Sequence, residues 1–144
     1  MQCVVDASVA AKWFLPEPYK DEAEELLRDF LDEKVELIAP DLIVSEVGNI
    51  LWKRSTLRGE ISATQASRSY ANFLALGLIL RPSSTIAAAA LKLATERSHP
   101  VYDMLYVALA EQNGCDFVTA DEKLVKKLGA KFPLLRWLGD FTTR

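Results

Sequence analysis

The sequence predicts an α/β protein in which helices cover both faces of a small, mainly parallel sheet of four or five strands. Three features predict it. Short apolar runs of strand length, among them Cys3–Val5 and Phe117–Thr119, alternate with longer segments of helical periodicity. The strand candidates are apolar throughout instead of alternating in polarity, the pattern of strands buried on both faces. The helical segments are longer and more numerous than the strands, so the sheet they cover is narrow.

Taken in order, Cys3–Val5 is a buried strand that ends at Asp6. Ser8 stands where it can cap a short helix over Val9–Leu15, which Pro16 and Pro18 stop. Ala23, Leu26, Leu27, Phe30 and Leu31 then recur at helical spacing, with acids on the opposite face. A second strand over Val35–Ile38 leads to Pro40-Asp41, which opens a helix carrying Ile43, Val44, Val47, Ile50 and Leu51 inward. Ser62-Ala63-Thr64-Gln65 fits a capping box and starts a helix that runs to about Leu76. Leu78–Arg81 is a third strand. Ala87–Arg97 and Tyr102–Asn113 are two more helices, the second closed by Gly114 at its C′ position. Phe117–Thr119 is a strand, Glu122–Leu128 a short helix before Gly129, and Leu134–Leu138 a last edge strand.

No internal repeat, linker or low-complexity stretch divides these elements, and 144 residues suffice for one core. Residues 1–144 are therefore read as a single domain. Half the residues are apolar and 26% are charged, which excludes a collagen-like or disordered chain. The longest stretch without a charge, Ser69–Leu80, falls well short of the roughly 20 residues of a membrane-spanning helix. Asp6 interrupts the first apolar stretch and no basic segment precedes it, so no secretory signal is expected. With 17 basic against 20 acidic residues, a nucleic-acid partner has to be held by a local basic patch or by bound cations. Cys3 and Cys115 lack metal-type spacing and make no disulfide framework. They are read as buried free thiols in a reducing cytoplasm.

Four carboxylates stand in apolar settings. Asp6 follows the first strand directly and Asp121 follows Thr119 by two residues, so both emerge at the edge of the sheet where ligands sit in such folds. Glu46 is the one charged residue between Leu42 and Trp52, and Asp103 the one charged residue between Pro100 and Ala110. An ionised carboxylate in such a setting costs several kcal/mol unless it is paired or binds a metal. Each acid also has a local reading. Asp6 and Asp121 can cap helices, and Asp103 in a first turn is favoured by the helix dipole. Glu46 can pair with a basic side chain, although Lys53 and Arg54 lie two turns away. Together, two strand-end and two helix-borne acids fit a metal-binding cluster better than four separate structural roles. Oxygen donors without a His or Cys cluster point to Mg²⁺ or Mn²⁺ rather than zinc, and such a site suits phosphoryl chemistry. Ser8 and Thr119 can orient a carboxylate or a water, or serve only as helix cap and strand residue.

In this order, the motifs resemble the PIN-domain ribonucleases, most closely the VapC-type toxins of toxin–antitoxin pairs. The matching segments are Val4-Val5-Asp6-Ala7-Ser8; Pro40-Asp41-Leu42 with Ser45-Glu46-Val47 and Asn49-Ile50-Leu51; Tyr102-Asp103 with Tyr106, Ala108 and Ala110; and Phe117-Val118-Thr119-Ala120-Asp121. The resemblance spans Val4 to about Leu138. It implies a PIN-like three-layer α/β/α sandwich and a Mg²⁺- or Mn²⁺-dependent endoribonuclease acting on single-stranded RNA. Asp6, Glu46, Asp103 and Asp121 match the family's acidic quartet, with Asp6 and Asp103 the first choice for direct metal ligands. The resemblance also implies a homodimer and a small cognate antitoxin whose basic side chains enter the acidic pocket.

Two basic groups, Lys53, Arg54 and Arg58, and Lys123, Lys126, Lys127 and Lys131, can line the entrance and hold phosphates or simply form solvated faces. Trp13, Phe14 and Trp52 can stack bases or fill the core and subunit contacts. His99, the one histidine, is a candidate general acid or an ordinary loop residue. Two rival readings remain. One is another metal-dependent phosphoryl-transfer enzyme, such as a phosphatase, against which Ser8 stands where an aspartyl-phosphate enzyme carries a second Asp. The other is a non-catalytic module that binds RNA or protein.

Overall fold

Five strands form in a computed structural model that describes residues 1–143. They are β1 (Gln2–Val5), β2 (Glu36–Pro40), β3 (Ile79–Arg81), β4 (Asp116–Thr119) and β5 (Leu135–Trp137). They lie in the order β3-β2-β1-β4-β5, and every pairing is parallel. The expected four or five mainly parallel strands are thus five, all parallel. Between them run α1 (Ala7–Lys12), α2 (Lys20–Leu31), α3 (Leu42–Trp52), α4 (Ala63–Ala75), α5 (Ala87–Arg97), α6 (Val101–Asn113) and α7 (Glu122–Leu128).

The strand order dictates the layers. The steps from β1 to β2 and from β2 to β3 go one way along the sheet, so right-handed connections place α1 to α4 on one face. The steps from β3 to β4 and from β4 to β5 go back, placing α5 to α7 on the other. Helix packing agrees: α1 meets α2 and α3, α3 meets α4, and α5 runs along α6. The direction reverses between β1 and β4, and the crevice beyond the carboxyl ends of such a strand pair is where doubly wound sheets bind ligands.

Burial explains the apolar runs. Cys3, Val4 and Val5 of β1 are wholly enclosed by neighbouring strands and by helices on both faces. Met104 to Ala110 are seven consecutive buried residues, because α6 crosses β1, β2 and β4 on one side and lies under α5 on the other. The alanines of α5 serve this contact, with Ala90 and Ala94 buried against α6. Tyr106 and Phe117 stack at 5.5 Å between ring centroids, fixing α6 to β4 with about 1 kcal/mol beyond their area burial.

Several local readings change. Asp6, not Ser8, caps the first helix, which begins at Ala7 and ends at Lys12. The Asp6 carboxylate accepts from the backbone N–H groups of Ser8 and Val9, the orphan donors of a first turn. The second helix starts at Lys20, after Tyr19 turns the chain through a left-handed conformation. α3 runs without a break into a π-helical turn over Lys53–Leu57, which the hydrophobic pattern does not signal. Asp29 is buried instead of facing solvent, because Lys34 and Thr143 satisfy it. Cys3 is buried as expected, whereas Cys115 is half-buried; both are free thiols. The Ser62–Gln65 capping box forms with both hydrogen bonds. Among the described residues, no helix is long and apolar enough to cross a membrane.

Gly114 ends α6 in a left-handed conformation, φ 58°, and a Cβ added there would meet no atom within 4 Å. The cost of Gly114→Ala is therefore backbone strain alone, about 1 kcal/mol. Urea unfolding is expected to show that loss in the midpoint with an unchanged slope.

Candidate functional site

The site is built from the junction of β1 and β4 outward. Asp6 leaves β1 as the cap of α1 and is only 8% exposed. Its Oδ2 accepts from Thr119 Oγ1 at 2.5 Å, and its Oδ1 from Ser8 Oγ at 2.5 Å. Both hydroxyls also accept: Thr119 Oγ1 from the Asp121 N–H at 3.1 Å, and Ser8 Oγ from the Ala120 N–H at 3.0 Å. Asp121 in turn caps α7, its Oδ1 accepting from the Leu124 N–H at 3.1 Å. The local capping readings of Asp6 and Asp121 are therefore realised, and both residues still open onto the same cleft.

Glu46 projects from the middle of α3. Its partner is the Tyr106 hydroxyl, which donates to Oε1 at 2.5 Å, and not a lysine or arginine. Asp103 comes from the first turn of α6, with Oδ2 2.7 Å from His99 Nε2. Asp6, Glu46, Asp103 and Asp121 all line one cleft of about 300 Å³, together with Ser8, Asn49, Lys53 and Tyr106. Thr119 does not line it. That side chain is fully buried and meets the cleft through its contacts with Asp6, Ser8 and the Asp121 amide.

Electrostatics mark the cleft as short of positive charge. Burial pushes the Asp6 carboxyl up to about 6, against the pull of the Ser8, Thr119 and Val9 donors, and the charge on Glu46 adds to the rise. Glu46 is also raised, first by burial and then by the charge on Asp103, although Tyr106 opposes this. Burial and the neighbouring Glu46 hold the Tyr106 hydroxyl protonated, so it acts as a donor. Lys53 is the basic side chain lining the cleft. Among the described residues, no three carboxylate, imidazole or thiol groups already close around one point. The donors thus form an open, all-oxygen set whose mutual repulsion a cation would relieve. Such a set fits a hard divalent ion of the magnesium type, which keeps several waters and takes only one or two carboxylates directly.

Asn49 and Tyr106 were less visible in the sequence than the acids, yet helical spacing marks them. Asn49 lies three residues after Glu46 and Tyr106 three after Asp103, on the same helix faces. The basic groups divide. Arg54 is held by Glu17 and Glu60, and Lys12 also pairs with Glu17 at 3.4 Å, so Arg54 serves an internal network. Arg58 approaches Glu60 at 3.8 Å, Lys126 borders a different groove, and Lys127 contacts His99. Trp13 is core, its indole N–H donating to the Ala23 carbonyl at 2.8 Å, and Phe14 packs edge-on against Phe73. Trp52 is 48% exposed at the end of α3, available for stacking.

Comparison with known proteins shows the family and the fold. Residues 3–129 match the family model of the PIN domain. Over 133 residues the chain is 34% identical to a protein named Ribonuclease VapC3 from Pyrobaculum aerophilum, covering 90% of this chain and 97% of that one. The crystal structure of PAE2754 from Pyrobaculum aerophilum superposes with a TM-score of 0.68 at 26% identity, over 96% of this chain and 93% of that one. Mycobacterium tuberculosis VapC20, described as a toxin that cleaves the sarcin-ricin loop, shares the fold. Its TM-score is 0.64 at 15% identity, over 90% of this chain and 95% of that one.

Asp6 gives the site a pH signature. Its pKa is about 6 in the fold against an ordinary 3.8, so below pH 3.8 both folded and unfolded chains carry the proton. Between pH 3.8 and about 6 the unfolded chain ionises while the fold keeps the proton, so stability falls across that window, and above it the buried charge costs the metal-free protein up to about 3 kcal/mol. Asp6→Asn keeps a capping side chain without the charge. In EDTA it is expected to raise the thermal midpoint at pH 7.5 and to change it little at pH 3.8. A lower midpoint at pH 7.5 would contradict this account.

Proposed function

The chain belongs to the PIN-domain family, matched over residues 3–129 and through a VapC relative, and on that premise we propose that it is a metal-dependent endoribonuclease. The observation that carries the reading is the convergence of Asp6, Glu46, Asp103 and Asp121 on one cleft at the sheet's switch point. The four carboxylates would hold Mg²⁺ or Mn²⁺, with Asp6 and Asp103 as direct ligands. Such an ion, when bound, neutralises phosphate charge and lowers the pKa of water.

The chain's own groups do the rest. Ser8 and Thr119 hold Asp6 in one rotamer, and Tyr106 holds Glu46. Lys53 draws the anionic backbone of a single-stranded RNA toward the acids, and Asn49 offers an amide beside it. Exposed Trp52, next in sequence to Lys53, is a stacking surface for a base. The relatives' names support a toxin of the VapC type, and we extend the proposal to a cytoplasmic homodimer restrained by a small antitoxin whose basic side chains occupy the acidic cleft.

Purified, antitoxin-free protein is expected to cleave end-labelled single-stranded RNA with Mg²⁺ or Mn²⁺ and not in EDTA. Asp103→Asn should lower the rate by about 100-fold or more. A folded protein that binds metal and RNA without cutting would instead support a non-catalytic RNA-binding module, and metal-independent cleavage would remove the proposed chemistry. Lys53→Gln is expected to weaken RNA binding and reduce the salt dependence of affinity by about one charge, whereas Arg54→Gln should leave the salt slope unchanged and lower stability.

A further inference from the structure

His99 has no part in the reading above, yet it touches one of the four acids. It lies in the short link between α5 and α6, between Ser98, which is left-handed at φ 51°, and Pro100, which precedes α6. Its side chain is 11% exposed. Nε2 lies 2.7 Å from Asp103 Oδ2, and Nδ1 lies 2.8 Å from Lys127 Nζ. Lys127 comes from α7 and is steadied by a second bond, to the Ser98 carbonyl at 3.2 Å. A lysine ammonium has donors only, so Nδ1 must accept. The ring proton therefore sits on Nε2 and is donated to Asp103.

The other three acids each have a donor that fixes their rotamer: Ser8 and Thr119 for Asp6, Tyr106 for Glu46, and the Leu124 amide for Asp121. Asp103 stands partly in solvent, with a side chain 38% open. Without His99 it would lose rotamer freedom only on binding a cation, at a cost in affinity. We propose that His99, held in its Nε2–H tautomer by Lys127, positions the Asp103 carboxylate for cation binding. The bond takes up one oxygen and leaves the other for the cleft that Asp103 lines. His99 is thus a positioning residue, and Lys127 acts through it. The same logic holds where a partner outside a metal's ligand set orients a ligand and tunes its basicity. The inference rests on the cleft's reading as a cation site and adds to it two residues from outside the acidic quartet.

The test is Mn²⁺ binding to the intact, RNA-free protein, followed by electron paramagnetic resonance of the free ion, with near-ultraviolet circular dichroism to report folding. His99→Ala is expected to weaken Mn²⁺ affinity by about 10- to 100-fold. His99→Gln, whose amide N–H can donate near the Nε2 position, should restore most of that loss. Lys127→Met, which frees the ring, should fall between wild type and His99→Ala. Unchanged affinity in a folded His99→Ala protein, with Asp103→Asn still abolishing binding, would overturn this inference and leave the functional reading standing. A wild-type protein that binds no Mn²⁺ would overturn both. If His99→Ala fails to fold, Lys127→Met decides: a folded variant with wild-type affinity overturns the proposal, and a weakened one supports it.

Discussion

The buried Asp6 carboxylate holds the carboxyl ends of the two central strands together. It caps α1, takes hydrogen bonds from Ser8 and Thr119, and through those hydroxyls reaches the backbone of Ala120 and Asp121. Groups from two strand ends are thus arranged around one side chain. The opening between β1 and β4, where the chain's direction across the sheet reverses, becomes a defined cleft because of that web. The remaining acids arrive from helices on opposite faces, Glu46 on α3 and Asp103 on α6, and Tyr106 spans between them by donating to Glu46.

The same carboxylate sets the energetic character of the protein. An ionised group at this depth opposes folding unless it is compensated, and its hydrogen-bond donors compensate only in part, so its pKa stays near 6. Glu46 carries a smaller burden of the same kind. Stability is therefore traded for a charge distribution that a cation or a basic partner would compensate, and buried charges of this kind are common at functional sites. Elsewhere the fold neutralises its charges internally. Lys12, Glu17, Arg54 and Glu60 form a connected network behind the π-helical turn, which leaves Lys53 as the basic side chain in the cleft lining.

Much of this was legible in the sequence for identifiable reasons. A carboxylate alone in an apolar run is conspicuous, because burial without compensation is costly, and all four such residues reached the cleft. Continuous apolar strands announced a sheet covered on both sides, and the Ser62–Gln65 capping box formed as read. The boundaries of short elements were harder. Ser8 and Asp6 are both good caps two residues apart, and the choice fell to Asp6 because its oxygens also meet Thr119, 113 positions away.

The sequence by itself therefore determined the α/β class, the parallel character of the sheet and the identity of the acids, since these follow from local hydrophobic pattern and the cost of lone charges. Only the tertiary structure decided which of several adjacent basic residues faces the cleft, that Thr119 acts from behind Asp6, and that His99 and Lys127 stand behind Asp103. Those assignments depend on contacts between residues distant in the chain and on helix rotation through a π-helical turn. Neither leaves a trace in local periodicity.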